Sequence, residues 1–334
     1  MWHVRKFIIY YQNKSYMILI LTVLLNLFQV HAFYVPVATH AALKQSQAIS
    51  FEANGFQAFA ALNKTGEPVV FADYCPHRGA SFNKAPIIDD AVSCPYHDFR
   101  FDINHGALVS GLGVSPGCSS LVPVPCVQRE DLVWACVDGD DSEAPPPPLI
   151  ESLDPAFRRI SGTVSIRCNT QALVENVLDN LHISTVHSFG NRAEPTPMHY
   201  KARRLDSTHG IASFVYKAGK TSLFNGDLHV KNWYNLPSTA GTTVTSGTNS
   251  KVVQVHAVQR ANGVTEVYWE LLRNFMTHPC FDGFFHLAMA VTLDEDRRIL
   301  ETCVPERGDR FHSKYDQLQV LYRHALKQHK KKLE

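Results

Sequence analysis

Two short loops, each carrying one cysteine and one histidine, constrain this chain more than any other feature of its sequence. One residue separates Cys75 from His77, and two residues separate Cys94 from His97. The 16 residues between His77 and Cys94 are enough for one strand out and one strand back. A proline follows each cysteine and favours a tight turn, and Gly79 permits a backbone conformation that other residues resist. We therefore expect two thiolates and two imidazoles to meet at one site.

This set of side chains suits a [2Fe–2S] cluster in which two cysteines hold one iron and two histidines hold the other. Neutral imidazoles leave less negative charge on the cluster, so it is easier to reduce than a four-cysteine cluster. A structural zinc site uses the same residue types, but such sites usually begin with two closely spaced cysteines. A Cys75–Cys94 disulfide with incidental histidines is the other alternative. The presence of both loops favours the cluster.

Length and composition predict an ordinary globular protein of two domains. The chain has 334 residues, of which 45% are hydrophobic and 19% charged. The net charge of +1 gives no electrostatic case for nucleic acid as a partner. An acidic stretch followed by Pro145–Pro148 marks the expected boundary, because consecutive prolines form a stiff, extended spacer. We therefore expect domains at 33–145 and 146–334, preceded by a separate segment at 1–32.

The first 32 residues have the pattern of a signal peptide or membrane anchor. Arg5 and Lys6 precede the apolar run Met17–Val30, and Ala32 ends a stretch suited to cleavage. An iron–sulfur cluster needs reduced thiols, which the oxidising secretory lumen does not favour. We therefore expect either passage through the secretory route to the plastid of an alga with complex plastids, or an uncleaved anchor on a membrane.

Hydrophobic periodicity predicts short strands up to Val137 and a mixed second half. Leucines and valines at helical spacing predict a single helix over Gln171–His187. Asn262-Gly263 predicts a hairpin turn. The further predicted elements of the second half are strands at Gly162–Arg167, Ile211–Lys217, His229–Tyr234, Val252–Arg260 and Thr265–Phe275, and helices at Asp294–Thr302 and Lys314–Lys330.

The predicted helix carries a second candidate metal site. Asn176, Asp179 and His182 are three residues apart and would share one helix face, and His187 follows at the end of the helix. Two histidines and one carboxylate form the facial triad of non-haem Fe(II) oxygenases, which leaves positions free for O₂ and substrate. The alternative is a helix with two histidines satisfied by core partners. A neighbouring cluster needs an electron acceptor, and this favours iron.

These motifs together resemble those of the Rieske non-haem iron oxygenases, specifically the one-component, monooxygenase-like group, with distant similarity to pheophorbide and chlorophyllide oxygenases. The resemblance covers about Phe33–Lys330. The matching motifs, in the order of the family, are Cys75-x-His77, Cys94-x₂-His97 and Glu175-Asn176-x₂-Asp179-x₂-His182-x₄-His187. The segment from Glu295 to Glu301 looks like the one that supplies the third iron ligand. Asp296 is therefore the candidate, with Asp294 as its rival.

The resemblance implies an α+β fold, with an N-terminal all-β Rieske [2Fe–2S] domain followed by a helix-grip (START-like) antiparallel-sheet catalytic domain. It assigns the cluster to Cys75, His77, Cys94 and His97, and a mononuclear Fe(II) to His182, His187 and Asp296. Asn176 and Asp179 become catalytic candidates, and Asp179 would bridge His182 of one subunit to His97 of the next in a homotrimer.

The implied activity is oxidation of an apolar, cyclic organic substrate by hydroxylation, demethylation or desaturation. O₂ would be the co-substrate, and an external ferredoxin or reductase would supply electrons, because the chain has no four-cysteine ferredoxin pattern and no flavin- or nicotinamide-binding loop. Eight aromatic residues are candidates for the substrate pocket: Phe214, Tyr216, Phe224, Trp233, Tyr268, Trp269, Phe284 and Phe285.

One position departs from the family pattern. Asp98 follows His97 where the family usually has glycine. A carboxylate directed at the cluster would lower its reduction potential, so we expect this side chain to point away. The functional alternatives are an electron carrier that uses the cluster alone, a lipid-binding module with a vestigial iron site, and a protein with two structural zinc sites.

Overall fold

The computed structural model describes residues 33–53, 55–138, 150–260, 262–304 and 311–333. The segment at 1–32 and the expected domain boundary between residues 145 and 146 lie outside these ranges. Within the described part of the chain, no helix combines the length and the apolar character needed to cross a bilayer.

The N-terminal half contributes two small antiparallel sheets and three strands of a larger one. Strands β1, β10 and β9 form one small sheet and β5 to β8 form the other, whereas β2, β3 and β4 pair in sequence order and extend the large sheet of the second half. The bounds are β1 Phe33–Thr39, α1 His40–Gln45, β2 Ile49–Ala53, β3 Phe56–Leu62, β4 Pro68–Ala72, β5 Ile87–Ile88, β6 Ala91–Ser93, β7 Arg100–Asp102, β8 Leu108–Ser110, β9 Cys126–Arg129 and β10 Leu132–Asp138. The two cysteine–histidine loops follow β4 and β6, so the hairpin between them supplies the predicted strand out and strand back.

The second half is built on one large antiparallel sheet. Strands β12 to β17 pair in sequence order, and β11 closes the edge beside β17. The bounds are α2 Ile150–Leu153, β11 Arg158–Ile166, α3 Thr170–Leu178, α4 Ile183–Val186, β12 Met198–Arg204, β13 His209–Lys217, β14 Asp227–Asn235, β15 Thr239–Ser246, β16 Asn249–Gln259, β17 Thr265–Arg273, a 3₁₀ turn Pro279–Phe281, α5 Asp282–Leu300 and α6 Gln317–Leu333. This sheet-dominated α+β arrangement confirms the predicted fold class.

Three helices cover the inner face of the large sheet. The apolar sides of α3, α5 and α6 contribute Leu173, Met289 and Tyr322 to one continuous core with the strands. Burial of each side chain of this size contributes about 1.5–3 kcal/mol relative to exposure. The opposite sides of α5 and α6 carry exposed residues, as in amphipathic helices, whereas every residue of α3 is buried or half-buried. Packing rather than intrinsic propensity therefore fixes them on the sheet.

Side chains from both halves interlock at the outer face of this sheet. Arg260 donates a hydrogen bond to the carbonyl of Val37 at 2.7 Å. Trp134 of β10 contacts the ring of His256 edge to face, with centroids 4.9 Å apart. Burial lowers the pKa of His256 to about 3, so its ring stays neutral at this contact. These buried contacts fix the position of one half on the other.

The predicted single helix over Gln171–His187 is wrong. Helix α3 ends at Leu178, and the extended backbone of Asp179 (φ −69°, ψ 132°) interrupts it before α4. Asp179 Oδ1 accepts a hydrogen bond from the N–H of Leu181 at 2.8 Å, and buried Asn180 donates to the carbonyl of Tyr315 at 3.0 Å. Short polar side chains that bond to nearby backbone compete with the helical pattern. Asp179 and His182 therefore meet through a turn, not along one helix face.

Two candidate metal centres

The two cysteine–histidine loops have matching backbone geometry. The N–H of Cys75 donates to Ala80 and that of Cys94 donates to Phe99, both at 2.8 Å. Each cysteine carbonyl in turn accepts the N–H of the residue four positions later. That residue is left-handed in both loops, with φ +72° at Gly79 and φ +54° at Asp98. The loops are thus two copies of one turn, placed face to face by the intervening hairpin.

The ligand atoms of this site divide into a buried and an exposed half. Cys75 and Cys94 are each 2% exposed and form no disulfide. His77 and His97 lie at the surface with ring centroids 4.7 Å apart. Tyr96 stacks on His97 at 3.8 Å. The two candidate thiolate ligands therefore lie inside the protein, and the two candidate imidazole ligands lie at its surface.

The buried thiols fit a metal cluster better than free cysteines. Burial raises the pKa of the Cys75 thiol, and contact with Cys94 raises it further, although N–H groups of His77 and Arg78 oppose this shift. Iron bound here would take the thiolate form of both cysteines, and the N–H groups of His77 and Arg78 would help to stabilise the charge on the Cys75 sulfur.

Asp98 occupies the place in the second loop that Gly79 occupies in the first. Its side chain is 67% exposed and pairs with Arg100 at 3.3 Å. The hydrogen bond from Arg100 lowers the pKa of the Asp98 carboxyl, so it is charged at neutral pH. Aspartate tolerates the left-handed backbone better than most residues. The carboxylate points away from the cluster site, as expected.

We predict that Asp98→Asn raises the reduction potential of the cluster. Asparagine also tolerates the left-handed conformation, so the change removes charge without altering the turn. The negative charge of Asp98 favours the oxidised form of a nearby cluster, so its removal should make the cluster easier to reduce. A redox titration followed by EPR measures it. Arg100→Gln should shift the potential the opposite way, and an unchanged potential in both variants would contradict the assignment.

The second centre brings His182, His187 and Asp296 together. The two Nε2 atoms are 3.2 Å apart, and Asp296 Oδ1 lies 3.4 Å from that of His182 and 3.5 Å from that of His187. An ion with bonds of about 2.1 Å holds neighbouring ligands roughly 3.0–3.4 Å apart. These three atoms therefore form one face of a metal coordination shell. Turn residues after α3 position His182, the end of α4 positions His187, and α5 supplies Asp296.

Burial and hydrogen bonding at this triad also fit a metal ion. Asp296 Oδ1 is buried and has no hydrogen-bond donor within the described residues. Burial lowers the pKa of His187, whereas His182 lies between the carboxylates of Asp179 and Asp296, which outweigh its burial and raise its pKa to about 9. Two histidines and a carboxylate that converge in a buried place are the residues that a divalent iron would hold.

Glu295 is a functional candidate that the sequence motifs did not reveal. His187 Nδ1 donates to Glu295 Oε2 at 3.0 Å, and the N–H of Ser188 donates to Oε1 at 3.2 Å. This bond fixes the ring and leaves the Nε2 lone pair directed at the metal site. The sequence motif predicted the neighbouring Asp296 as an iron ligand. It could not reveal the contact between Glu295 and His187, because these residues are 108 positions apart.

We predict that Glu295→Ala weakens Fe(II) binding about 10- to 100-fold, because loss of a carboxylate that orients a ligating histidine typically has this effect. Titration of iron-depleted protein with Fe(II) measures the change. Glu301→Ala is the matched control, since Glu301 is an exposed residue at the end of the same helix that contacts the N–H of Arg167 instead. Equal affinities in the two variants would remove Glu295 from the site.

The other predicted site residues surround the triad in different ways. Asp179 Oδ2 lies 3.6 Å from His182 Nδ1, and the Asp179 side chain remains 30% exposed. Asn176 lies on the last turn of α3 and hydrogen-bonds to Asp296, which helps to lower the pKa of that carboxyl against the effect of burial. The rival ligand Asp294 points elsewhere and pairs with Arg297 and Arg298.

The triad opens on a cavity of about 200 Å³ between the sheet and helices α3 and α5. Of the eight aromatic candidates, Tyr216 and Phe224 line it, whereas Phe285 is 1% exposed in the core and Phe284 is 48% exposed. Phe189, which stacks on His187, also lines the cavity. The aliphatic lining consists of Val177, Ile183, Leu228, Val230, Val244, Val253, Val255, Met289 and Leu293.

Comparisons with known proteins agree with the cluster site. A family model described as the Rieske [2Fe-2S] domain matches residues 33–124. The oxygenase component of dicamba O-demethylase from Stenotrophomonas maltophilia is 33% identical over 135 residues, which are 38% of this chain and 39% of that protein. Cholesterol 7-desaturase from Caenorhabditis elegans is 28% identical over 134 residues, which are 37% of this chain and 31% of that protein. The chain thus matches well under half of the length of each curated relative.

The similarity of fold extends over both halves. A crystal structure of dicamba monooxygenase bound to dicamba aligns with a TM-score of 0.70 over 90% of this chain and 98% of that chain, at 19% sequence identity. At this identity the similarity establishes the fold alone. With its match to the Rieske [2Fe-2S] domain, its partial matches to oxygenase relatives, its fold and the His182–His187–Asp296 triad, the chain is similar to the Rieske non-haem iron oxygenases, and its residues fit a [2Fe–2S] cluster and a mononuclear iron as cofactors.

Proposed function

We propose that this protein is the oxygenase of a Rieske system and oxidises a small organic molecule with O₂. The observation that carries the proposal is the opening of the His182–His187–Asp296 triad into a mainly aliphatic cavity. An iron bound there would supply O₂ activation. The relatives named as a demethylase and a desaturase favour removal of a methyl group, hydroxylation or desaturation.

The cavity walls would position the substrate and exclude water. Valines from three neighbouring strands and Phe224 contact a substrate through apolar surface and exclude water from the triad side. Asp296 would stay charged as a ligand, since His182, His187 and Asn176 all lower its pKa. Glu295 would keep the His187 proton on Nδ1. These residues hold the reacting carbon and the iron ligands in place.

Electrons would enter from an external ferredoxin or reductase at the exposed imidazole side of the cluster, around His77 and His97. Asp179 would carry the connection to the second centre in a homotrimer, from His182 of one subunit to His97 of the next. Its partial exposure supports this role, because a bridging carboxylate must be reachable from outside its own chain. The segment 1–32 would direct the chain to the secretory route, and from there to a complex plastid or a membrane.

An electron carrier would use only the cluster, so it would not account for the triad and its cavity. A structural zinc protein would not account for the apolar lining of that cavity. Two metal sites with different ligand sets are what an oxygenase requires.

We expect about three irons and two acid-labile sulfides per chain, with a Rieske EPR signal that appears on reduction by dithionite. The measurement uses the iron-replete protein, followed by O₂ uptake with an external donor and candidate methoxylated aromatic and sterol substrates. Two irons and two sulfides in iron-replete protein would favour the electron carrier, and zinc without sulfide would exclude both readings.

A further inference from the structure

Lys251 places a cationic side chain among the aliphatic residues of the cavity wall. On β16, Lys251, Val253 and Val255 alternate along one face of the strand, and all three line the cavity. Val252, between them, is 0% exposed and belongs to the other face. Alternation along the strand therefore directs Lys251 into the same space as the valines.

The amine of Lys251 has no anionic partner among the residues that the structure describes. Its recorded contact is with the ring of Phe189, whose centroid is 5.8 Å from Nζ. The other lysine of the cavity wall, Lys217, pairs with Asp227. The cross-strand neighbour of Lys251 is Arg273, a second cation, which pairs with Asp282 at 2.6 Å.

An unpaired ammonium in such surroundings is unfavourable, because apolar walls replace part of its hydration. Burial lowers the pKa of the Lys251 amine for the same reason. Leucine or methionine would fill the same space without this penalty. The stability of the folded chain therefore does not explain a cation at this position, whereas a bound anion would.

We infer that Lys251 pairs with an anionic group of the substrate, a carboxylate or a sulfonate. The inference rests on the proposed function, in which the cavity holds the molecule to be oxidised. It refines the expected apolar substrate to an amphipathic one, with an apolar body along Val244, Val253 and Val255.

Phe189 lies beside both the iron ligand and the amine. Its ring stacks on His187 with centroids 4.9 Å apart and an interplanar angle of 15°, and Lys251 approaches the same ring. A substrate with its anionic group at Lys251 would lie along this ring and present a carbon to the triad.

Direct binding tests the inference without turnover. The probes are 4-fluorobenzoate and its neutral amide, 4-fluorobenzamide, titrated into iron-replete protein under nitrogen and followed by ¹⁹F NMR. We expect the carboxylate to bind at least about tenfold more tightly than the amide, as for other hydrogen bonds to charged groups. Lys251→Met should abolish this preference, Lys251→Arg should keep it, and Lys217→Met should keep it as the matched control.

Three results would overturn the inference: equal binding of both probes, binding of neither, or the same preference in Lys251→Met. Thermal unfolding without ligand separates a binding role from a structural one. Removal of an unpaired cation should raise the melting temperature of Lys251→Met by roughly 2–4 °C, whereas loss of a structural contact would lower it. If the carboxylate preference depends on Lys251 but the protein takes up no O₂, the anion site is supported and the proposed oxygenase activity is rejected. If the protein takes up O₂ with substrate but shows no carboxylate preference, the oxygenase activity is supported and the anion site is rejected.

Discussion

Replacement of Asp296 by alanine is expected to remove the mononuclear iron and leave the cluster in place. Iron should fall from about three to about two atoms per chain, with sulfide and the Rieske EPR signal unchanged. The reason is geometric: Asp296 Oδ1 completes a triangle with two imidazole nitrogens at 3.4 and 3.5 Å. Two histidines alone hold divalent iron weakly, so turnover should fall to the background of iron-depleted protein.

Asp294→Ala is the matched control for this experiment. Asp294 lies on the same helix two residues earlier, and its carboxylate pairs with Arg297 and Arg298. Such exposed pairs contribute about 0–1 kcal/mol. The control should therefore keep three irons and nearly full activity. Iron loss in Asp294→Ala and retention in Asp296→Ala would exchange the roles of the two residues.

Features with a short-range cause were predictable from the sequence. The spacing in the two cysteine–histidine loops predicted their pairing, and hydrophobic periodicity predicted the short strands of the first half, of which β4 (Pro68–Ala72) is one. Alternating apolar residues predicted the strands of the second sheet to within a few positions, except where alternation is absent. β15 was missed because Thr239–Ser246 is made of small and polar residues, and β12 because Met198–Arg204 is rich in charge. Cross-strand pairing with apolar neighbours holds both in the sheet.

Features that depend on distant contacts were not predictable. Helical spacing continues through Asp179, yet Asn180 bonds to Tyr315, 135 residues away, and this contact helps to fix the turn that ends α3. Lys251 carries no motif, and Glu295 lies in the predicted ligand segment without a predicted role; the roles of both follow from the side chains that the fold places beside them. The resemblance predicted His182, His187 and Asp296 as ligands, and the fold brings them together. The sequence did not indicate the contact between Glu295 and His187 or the position of Lys251 in the cavity wall.

Asp179→Asn is expected to lower turnover about 100-fold while both metal centres stay occupied. The carboxylate lies 3.6 Å from His182 Nδ1, and that nitrogen is buried without a hydrogen-bond partner in the described structure. A carboxylate partner orients an imidazole and raises its basicity. The proposed electron path between the two centres passes through the His182 imidazole, and Asp179 is that partner. The effect should fall on electron transfer: in a single turnover, the reduced cluster should be reoxidised by O₂ much more slowly, although its potential is unchanged.

The choice of asparagine separates charge from backbone structure. Asp179 Oδ1 also accepts the N–H of Leu181 at 2.8 Å and so fixes the turn that positions His182. Asparagine keeps an oxygen for this bond and loses the charge, whereas Asp179→Ala loses both. Slow cluster oxidation in both variants, with iron retained in Asp179→Asn, would assign the effect to the carboxylate. If Asp179→Asn turns over normally and only Asp179→Ala fails, the residue is a turn former and electrons reach the iron by another path.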